Sequence, residues 1–295
     1  MSDAPNWLIT VRIEPIFVAD ANRLLTAVEQ LARGDARFGF KALENGDVIL
    51  SGIDEQSLEQ KIGELRCAHK VEVNVGAPQV AYRETVLRAT EVDFIHKKLT
   101  GRPGQFARIK LRVEPNVPGA GNELESKVGG GALPKEYIPG VVKVIKGVWD
   151  AGVLVGFPMM DTKVTILDGA YHAADSSALA FEIAARAAMK EAAEKAGVKL
   201  LEPIMDVEVI TPGDFVGSVI GDLNSRRGHI RSQEMRDKAT VIRVHVPLAD
   251  LIGYASCLRS ITNGLASHKT RFDHYAEVPR NNGPDDFRPA LGMRA

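Results

Sequence analysis

Three short motifs of this 295-residue sequence contain residue types that could do chemistry. Gly129-Gly130-Gly131 invites comparison with a phosphate-binding loop, but the Gly-Lys-Ser/Thr that would hold nucleotide phosphates does not follow it. His172 and Asp175 stand three residues apart and could form an acid and base pair, although no Ser or Cys nucleophile motif completes them. Arg226-Arg227 suits contact with phosphate and equally suits a solvated helix end.

Simpler structural interpretations compete with the first two motifs. A glycine run before a helix is typical of a tight turn, and Asp175-Ser176-Ser177 is a run of good capping residues, so Asp175 is predicted to cap a helix. The seven histidines are scattered, with no pair at helical metal-ligand spacing. The residues alone therefore predict no metal site and no catalytic residue, and they favour a binding protein over an enzyme.

The composition excludes several classes of protein. An apolar fraction of 45% and a charged fraction of 25% are typical of a soluble globular chain. No apolar run approaches the roughly 20 residues that a membrane helix needs, and no signal peptide is evident, so we expect a cytoplasmic protein without a membrane partner. Cys67 and Cys257 are predicted to be reduced and buried. With 37 basic and 38 acidic residues, contact with nucleic acid would have to come from local basic loops.

The elements that must position these motifs begin with a βαββαβ pattern. Alternating apolar residues predict a strand over Trp7–Ile13, and Asp20 is predicted to cap the helix that follows. Asn45-Gly46 predicts a hairpin between the next two strands. A second helix and a strand over Val71–Val75 complete an order typical of the ferredoxin-like split unit.

The C-terminal part of the sequence repeats this order. After a first strand, Thr211-Pro212 is predicted to begin a helix that Arg226-Arg227-Gly228 ends. Two strands follow, then a helix over Leu251–Leu258 that Asn263-Gly264 stops, and a last strand from about Ser267 to Tyr275. The sequence therefore predicts two similar modules with a different segment between them.

The middle segment, about Ala81 to Lys199, carries two polar loops. A strand over Ala107–Val113, a helix after Pro134, a strand over Met159–Leu167 and a long alanine-rich helix are predicted. Loops at Thr100–Gln105 and Asp168–His172 lie beside these regular elements. Function is often carried by such loops.

Eight strings of residues occur in a recognisable order along the middle and last parts of the sequence. They are Val75–Thr85, Gly129–Pro139, Asp161–Thr165, Tyr171–Ala180, Leu201–Met205, Val219–Gly228, Val246–Leu248 and Phe272–Tyr275. Through these strings, Pro78 to Pro279 resembles elongation factor G, the translocase of the bacterial ribosome. Residues 1–77 resemble the preceding domain of that family more loosely.

The resemblance implies an α+β chain in which two ferredoxin-like modules, residues 1–78 and 201–279, flank a domain over 79–200 like the second domain of ribosomal protein S5. A flexible tail would follow over 280–295. The family's GTP- and Mg-binding domains would be absent, so the chain needs no cofactor and is no enzyme by itself. It would be a monomeric, ribosome-binding part of a translocase that promotes tRNA and mRNA movement, in contact with ribosomal RNA and with tRNA and mRNA at the decoding region.

The resemblance also implies which residues contact RNA. Gly101, Arg102 and Gly104 would shape the first tip loop of the middle domain. Neutral donors and acceptors suit contacts with an RNA backbone or 2′-hydroxyl that must form and break quickly. The full set implied to contact the ribosome or RNA is Gly101, Arg102, Gln105, His172, Asp175, Ser176, Arg226 and Arg227.

Two departures from the family pattern favour a divergent paralogue. Asp54–Leu58 replaces a Gly-Glu-Leu-His-Leu stretch that helps relay signals from the GTPase centre, and Gly101–Ala107 lacks a glycine and a histidine of the tip loop. Alternatives are a ribosomal protection factor that displaces a drug, a regulatory ribosome-binding paralogue, and a free-standing enzyme that uses Gly129–Gly131 for phosphate. The retained His172–Ser177 favours the translocase.

Overall fold

The structure is a computed structural model that describes residues 7–35, 37–98, 104–129, 133–236 and 239–279. The chain forms two compact units, one of residues 1–81 with 202–295 and the other of residues 82–201. The described ranges contain helices together with mostly antiparallel sheets, which confirms the predicted α+β class. No helix in these ranges is long and apolar enough to cross a membrane.

The first module has the predicted βαββαβ order. Its elements are β1 Ile9–Pro15, α1 Ala21–Arg33, β2 Gly39–Ala42, β3 Val48–Gly52, α2 Glu55–Cys67, β4 Val73–Val75 and the short β5 Gln79–Val80. The strands form a sheet in the order β2-β3-β1-β4, with β5 also paired to β1 and every pairing antiparallel. Gly46 turns the β2–β3 hairpin at φ +88°, as the Asn45-Gly46 signal predicts.

Two expectations for this module are wrong. Asp20 does not cap α1, because the 3-10 turn Val18–Asp20 gives it helical φ and ψ, and its carboxylate instead accepts from Arg23 at 2.7 Å. A capping residue needs an extended backbone, and Asp54 has one (φ −146°) and caps α2 by accepting from Ser57 N at 2.8 Å. Cys67 is exposed, because it lies in the last turn of α2 away from its buried face.

The middle domain packs two helices against a four-stranded sheet. Its elements are β6 Arg83–Val86, β7 Thr90–Lys98, β8 Gln105–Pro115, β9 Glu123–Ser126, α3 Ile138–Ala151, β10 Thr162–Ala170 and α4 Ala178–Ala196. The sheet order is β7-β8-β10-β9, in which only β9 and β10 are parallel among the described strands. The inward faces of both helices and of the sheet form one apolar core.

The strand predicted over Met159–Leu167 begins three residues later. Asp161, at φ +50°, makes the turn before β10, and its carboxylate accepts from Gly119 N at 2.9 Å and from Gly121 N at 2.8 Å. A bulge between Ile166 and Asp168 extends pairing with β8 as far as Ala170. The predicted polar loop therefore begins at Tyr171, because Asp168–Ala170 belong to the strand.

A buried carboxylate organises the loop after α3. Glu84, on β6, is fully buried and accepts hydrogen bonds from five consecutive backbone N–H groups, residues 153–157, at 2.6 to 3.1 Å. A buried charge is tolerated only when such partners satisfy it. This carboxylate therefore fixes a loop that has no regular secondary structure of its own.

The last module repeats the strand order of the first. Its elements are β11 Val198–Pro212, whose first residues pair with β6, then α5 Val216–Ser225, β12 His229–Arg236, β13 Ala239–Pro247, α6 Leu248–Leu251, α7 Tyr254–Ile261 and β14 Ser267–Glu277. The sheet order is β12-β13-β11-β14. Buried residues of the first and last modules form a single apolar cluster.

The turn signals of the last module give a mixed outcome. Asn263 and Gly264 have φ of +51° and +76° and stop α7 as predicted. Thr211-Pro212 does not begin a helix: both residues end β11, and a 3-10 turn separates them from α5. The helix predicted over Leu251–Leu258 is broken at Gly253, whose φ of +74° is left-handed, so α6 and α7 are separate. The predicted tail, 280–295, lies outside the described residues.

Candidate nucleic-acid interface

Two segments of the middle domain meet at one end of its sheet. Phe106 N donates to the carbonyl oxygen of Asp175 at 2.8 Å, and the Ser176 hydroxyl donates to the carbonyl oxygen of Phe106 at 2.7 Å. These bonds join the start of β8 to the loop between β10 and α4. The structure therefore brings Gln105, at the start of β8, beside the loop that holds His172, Asp175 and Ser176.

The 172–177 loop is held by its own side chains. Ser176 Oγ accepts from His172 N at 2.8 Å, and His172 Nδ1 lies 3.2 Å from the Asp175 carboxylate. The cap of α4 is Ser177 and not Asp175, because Ser177 has the extended backbone (φ −148°) that lets its hydroxyl accept from Ala180 N at 3.2 Å. The imidazole of His172 is 62% exposed and available to a ligand.

Gln105 is oriented by a residue that the sequence analysis missed. His96 Nε2, on β7, lies 2.9 Å from Gln105 Oε1. Only the register of the β7–β8 hairpin, in which Lys98 pairs with Gln105, could have indicated this neighbour. A Cβ on Gly104 would lie 2.9 Å from Asp175 Oδ1, so glycine lets the two segments approach. Gly101 and Arg102 lie outside the described residues.

The geometry around His172 and Asp175 suits binding better than nucleophilic catalysis. Both side chains are exposed, whereas a base that activates a hydroxyl works in a site that excludes water. The neighbouring Ser176 hydroxyl donates its one proton to the Phe106 carbonyl oxygen, so that proton is not directed at His172. The loop therefore presents hydrogen-bonding groups to solvent.

Arg226 and Arg227 end α5 and are engaged within the last module. The guanidinium of Arg226 binds Asp222 at 2.9 Å, donates to the Asp250 carbonyl oxygen at 2.6 Å and lies over the ring of Tyr254. This arginine is largely buried. Contact with phosphate would therefore have to compete with these partners.

Arg227 occupies a strained position at the C-terminus of α5. Its φ is +57°, and Gly228 N reaches back to the Leu223 carbonyl oxygen at 2.8 Å, as in a glycine-type helix end. Its guanidinium binds both oxygens of the Glu202 carboxylate at 2.8 and 2.7 Å and contacts Asp250 at 2.7 Å. The hydrogen bonds with Glu202 raise the pKa of Arg227 above its usual range. Contact of either arginine with RNA stays a prediction.

The segment that departs from the family pattern, Asp54–Leu58, links the first and last modules. Glu55 accepts from Gly253 N at 2.7 Å, and Thr270 Oγ1 lies 3.3 Å from the Asp54 carboxylate. Partial burial raises the pKa of Glu55, and the Gly253 N–H opposes that effect. This segment therefore connects the first and last modules by hydrogen bonds, a role that the sequence analysis does not predict.

Comparisons with known proteins agree with the architecture. Residues 78–197 match the family "Elongation factor G, domain IV", and residues 199–284 match "Elongation factor G C-terminus". The chain is 55% identical over 278 residues to "Elongation factor G" of Rhodopseudomonas palustris (strain BisB18) and 52% identical over 278 residues to that of Paracoccus denitrificans (strain Pd 1222). Each alignment covers 94% of this chain, and they cover 40% and 39% of the two relatives.

A solved structure has the same fold over most of the chain. A crystal structure of a protein from Thermus thermophilus matches with a TM-score of 0.72 and 35% sequence identity, over 95% of this chain and 42% of that one. The two matched domains are those of a translation elongation factor. The chain belongs to the elongation factor G family, as the resemblance predicts, and spans about two fifths of the length of the curated relatives it matches.

Proposed function

We propose that this chain is the ribosome-binding part of an elongation factor G-like translocase, which promotes tRNA and mRNA movement during protein synthesis. GTP and Mg²⁺ would be bound by other domains of the family, so these residues supply binding and no hydrolysis. The chain would act as a cytoplasmic monomer without a membrane partner. Its two βαββαβ modules would be ferredoxin-like, on either side of a domain like the second domain of ribosomal protein S5.

The observation that carries this proposal is the junction of the two tip segments. Gln105 and His172 are far apart in the sequence. Two hydrogen bonds, made by Phe106 with Asp175 and with Ser176, nevertheless join their segments. The result is a tip that presents an exposed imidazole and a half-buried amide, next to the exposed Lys97 and Lys98 at the end of β7. Such groups suit hydrogen bonds with the backbone or 2′-hydroxyl of ribosomal RNA, tRNA or mRNA at the decoding region.

Equilibrium binding of the full chain to 70S ribosomes tests this function. Replacing Gln105 and His172 together by Ala removes two hydrogen-bonding groups, each worth about 1 kcal/mol, so we expect about 30-fold weaker binding. Gln60→Ala is the matched control, because Gln60 is an exposed residue of α2 in the first module whose amide donates to Glu64, four residues later on the same helix. A chain with an intact fold that fails to bind ribosomes at low salt would contradict the proposal.

A further inference from the structure

Three side chains with metal-binding atoms meet on the sheet of the last module. His245 lies on β13, and Asp273 and His274 lie on β14. One ligand atom from each residue lies within 4.8 Å of the others, a group that stands alone among the described residues. Asp273 Oδ2 is 2.6 Å from His274 Nδ1 and 3.9 Å from His245 Nε2.

The fold brings these residues together across a third strand. In the sheet order, β11 lies between β13 and β14, so the two strands are about 10 Å apart and their side chains must reach over β11 to meet. Asp206, the partner of His245 in the β11–β13 register, is engaged by Arg271 at 3.0 Å. The Asp206 carboxylate therefore has a cationic partner of its own beside the cluster.

An irregularity in β14 turns two consecutive residues toward solvent. Phe272 and Tyr275 both pack against the apolar core although they are three residues apart. A regular strand directs every second residue to one face, so the strand must shift by one residue between them. As a result Asp273 and His274, both exposed, lie on the same side instead of on opposite faces.

The approach of His245 is not explained by the contact between Asp273 and His274, which are sequence neighbours on β14. The contact between Asp273 and His274 is local, whereas His245 comes from another strand and finds in Asp273 its one acidic partner within 4.0 Å among the described residues. The two imidazole rings approach edge to face with their centroids 5.9 Å apart. The cluster therefore combines two imidazoles and one carboxylate around a common point.

We propose that His245, Asp273 and His274 bind a divalent transition-metal ion of the Zn²⁺ class, with water in the remaining coordination positions. Two imidazoles and a carboxylate are a common ligand set for such ions, whereas Mg²⁺ and Ca²⁺ prefer oxygen ligands throughout. With bonds of about 2.0 to 2.1 Å, tetrahedral ligand atoms lie about 3.3 Å apart. The two measured separations, 2.6 and 3.9 Å, fall on either side of this value, so the three ligand atoms are already near the spacing that such an ion needs.

A bound ion would join β13 to β14 across β11 and stabilise the last module. It would do so because a ligand that binds only the folded state shifts the folding equilibrium. The sequence analysis predicts no metal site because it considers histidine pairs at helical spacing. Here the ligands are 28 residues apart in the sequence, from positions 245 and 273, and only the sheet brings them together.

Calorimetric titration of the full chain with ZnCl₂ tests this site. The chain is prepared without a histidine tag and as Cys67→Ser, because the exposed Cys67 thiol could bind zinc by itself. We expect one equivalent to bind, and His245→Ala or His274→Ala to weaken the affinity about tenfold or more. His69→Ala in the first module is the control and leaves the affinity unchanged. MgCl₂ in place of ZnCl₂ gives no saturable binding.

Two further measurements separate loss of the site from loss of the fold. Zinc raises the Tm of the Cys67→Ser chain and not that of its Asp273→Asn variant, which keeps the size of the side chain and removes its charge. Visible absorption of Co²⁺ added to the same two proteins reports ligation directly, with bands in the first that the second lacks. Absence of saturable zinc binding, or equal affinities of the His245→Ala and His69→Ala variants, overturns the proposal.

Discussion

Arg227 shows how one residue can satisfy two demands that conflict. The end of α5 needs a left-handed residue so that Gly228 N can reach the Leu223 carbonyl oxygen, and glycine meets that demand without strain. Glu202, only 3% exposed at its side chain, needs a cationic partner, which glycine cannot supply. Arg227 provides the cation for Glu202, and its backbone is strained as a result.

Replacing Arg227 by Gly or by Ala separates these two contributions. Either change leaves Glu202 without its bidentate partner, at a cost of about 2 kcal/mol in the free energy of unfolding. Arg227→Gly relieves the backbone strain and Arg227→Ala does not, so the alanine variant should be less stable than the glycine variant by about 1 kcal/mol. Urea unfolding followed by circular dichroism measures both. Equal stabilities of the two variants would show that the backbone is not left-handed at this residue.

Single residues were predicted well where one residue type dictates the backbone and poorly where several types compete. The turns at Asn45-Gly46 and Asn263-Gly264 lie where the sequence predicts them, because Gly46, Asn263 and Gly264 are of types that adopt a positive φ more readily than others. The caps at Asp20 and Asp175 were wrong, because the sequence shows which residues can cap but not which has an extended backbone. Of the three candidates in Asp175-Ser176-Ser177, only Ser177 caps α4. Asp175 contacts His172, and Ser176 donates to the Phe106 carbonyl oxygen.

At the scale of elements, hydrophobic periodicity predicts the order and type of the helices and strands. It does not predict the residues at which they begin and end. The strand predicted from Met159 begins at Thr162 because the Asp161 carboxylate binds backbone N–H groups 40 residues and more earlier in the chain. The neighbours His96 and Gln105 depend on hairpin register. Periodicity reports which face of an element is buried, whereas these features depend on contacts between elements distant in sequence.

The loop after α3 gives a prediction at this scale. Glu84→Gln replaces a carboxylate that accepts five backbone hydrogen bonds by an amide with one acceptor oxygen and two donor hydrogens that oppose the loop's own donors. We expect the middle domain to lose about 3 kcal/mol in its free energy of unfolding. Urea unfolding followed by Trp149 fluorescence in a Trp7→Phe background measures this, because Trp149 is the tryptophan of the middle-domain core.

The control for this measurement is Glu123→Gln. Glu123 lies on β9 of the same domain, and its exposed carboxylate pairs only weakly with Lys163 at 3.5 Å. Exposed ion pairs contribute about 0 to 1 kcal/mol, so this variant should unfold almost as the parent does. A loss for Glu84→Gln no larger than that of Glu123→Gln would mean that the loop does not depend on the buried carboxylate.

At the scale of the whole molecule, charge bears on how the chain would bind the ribosome that we propose as its partner. The sequence has 37 basic and 38 acidic residues, and the structure engages Arg226 and Arg227 in ion pairs within the last module. Each phosphate that a protein neutralises contributes about −0.7 to −0.9 to the slope of log affinity against log salt. A chain that binds through shape and neutral hydrogen bonds should therefore give a shallow slope, with a magnitude of about 1 to 2.

Ribosome binding measured from 50 to 200 mM KCl at fixed Mg²⁺ tests this expectation. A slope of about 1 to 2 lowers the affinity about 4-fold to 16-fold over that range, whereas proteins that make 6 to 10 phosphate contacts lose about 10³-fold to 10⁵-fold. Arg102→Ala should reduce the slope by just under one, because Arg102 is the basic residue of the tip loop. Arg227→Lys keeps the charge and should leave the slope unchanged. A slope steeper than about 5 would mean that binding depends on many phosphate contacts, and that the hydrogen-bonding groups of Gln105 and His172 do not determine the affinity.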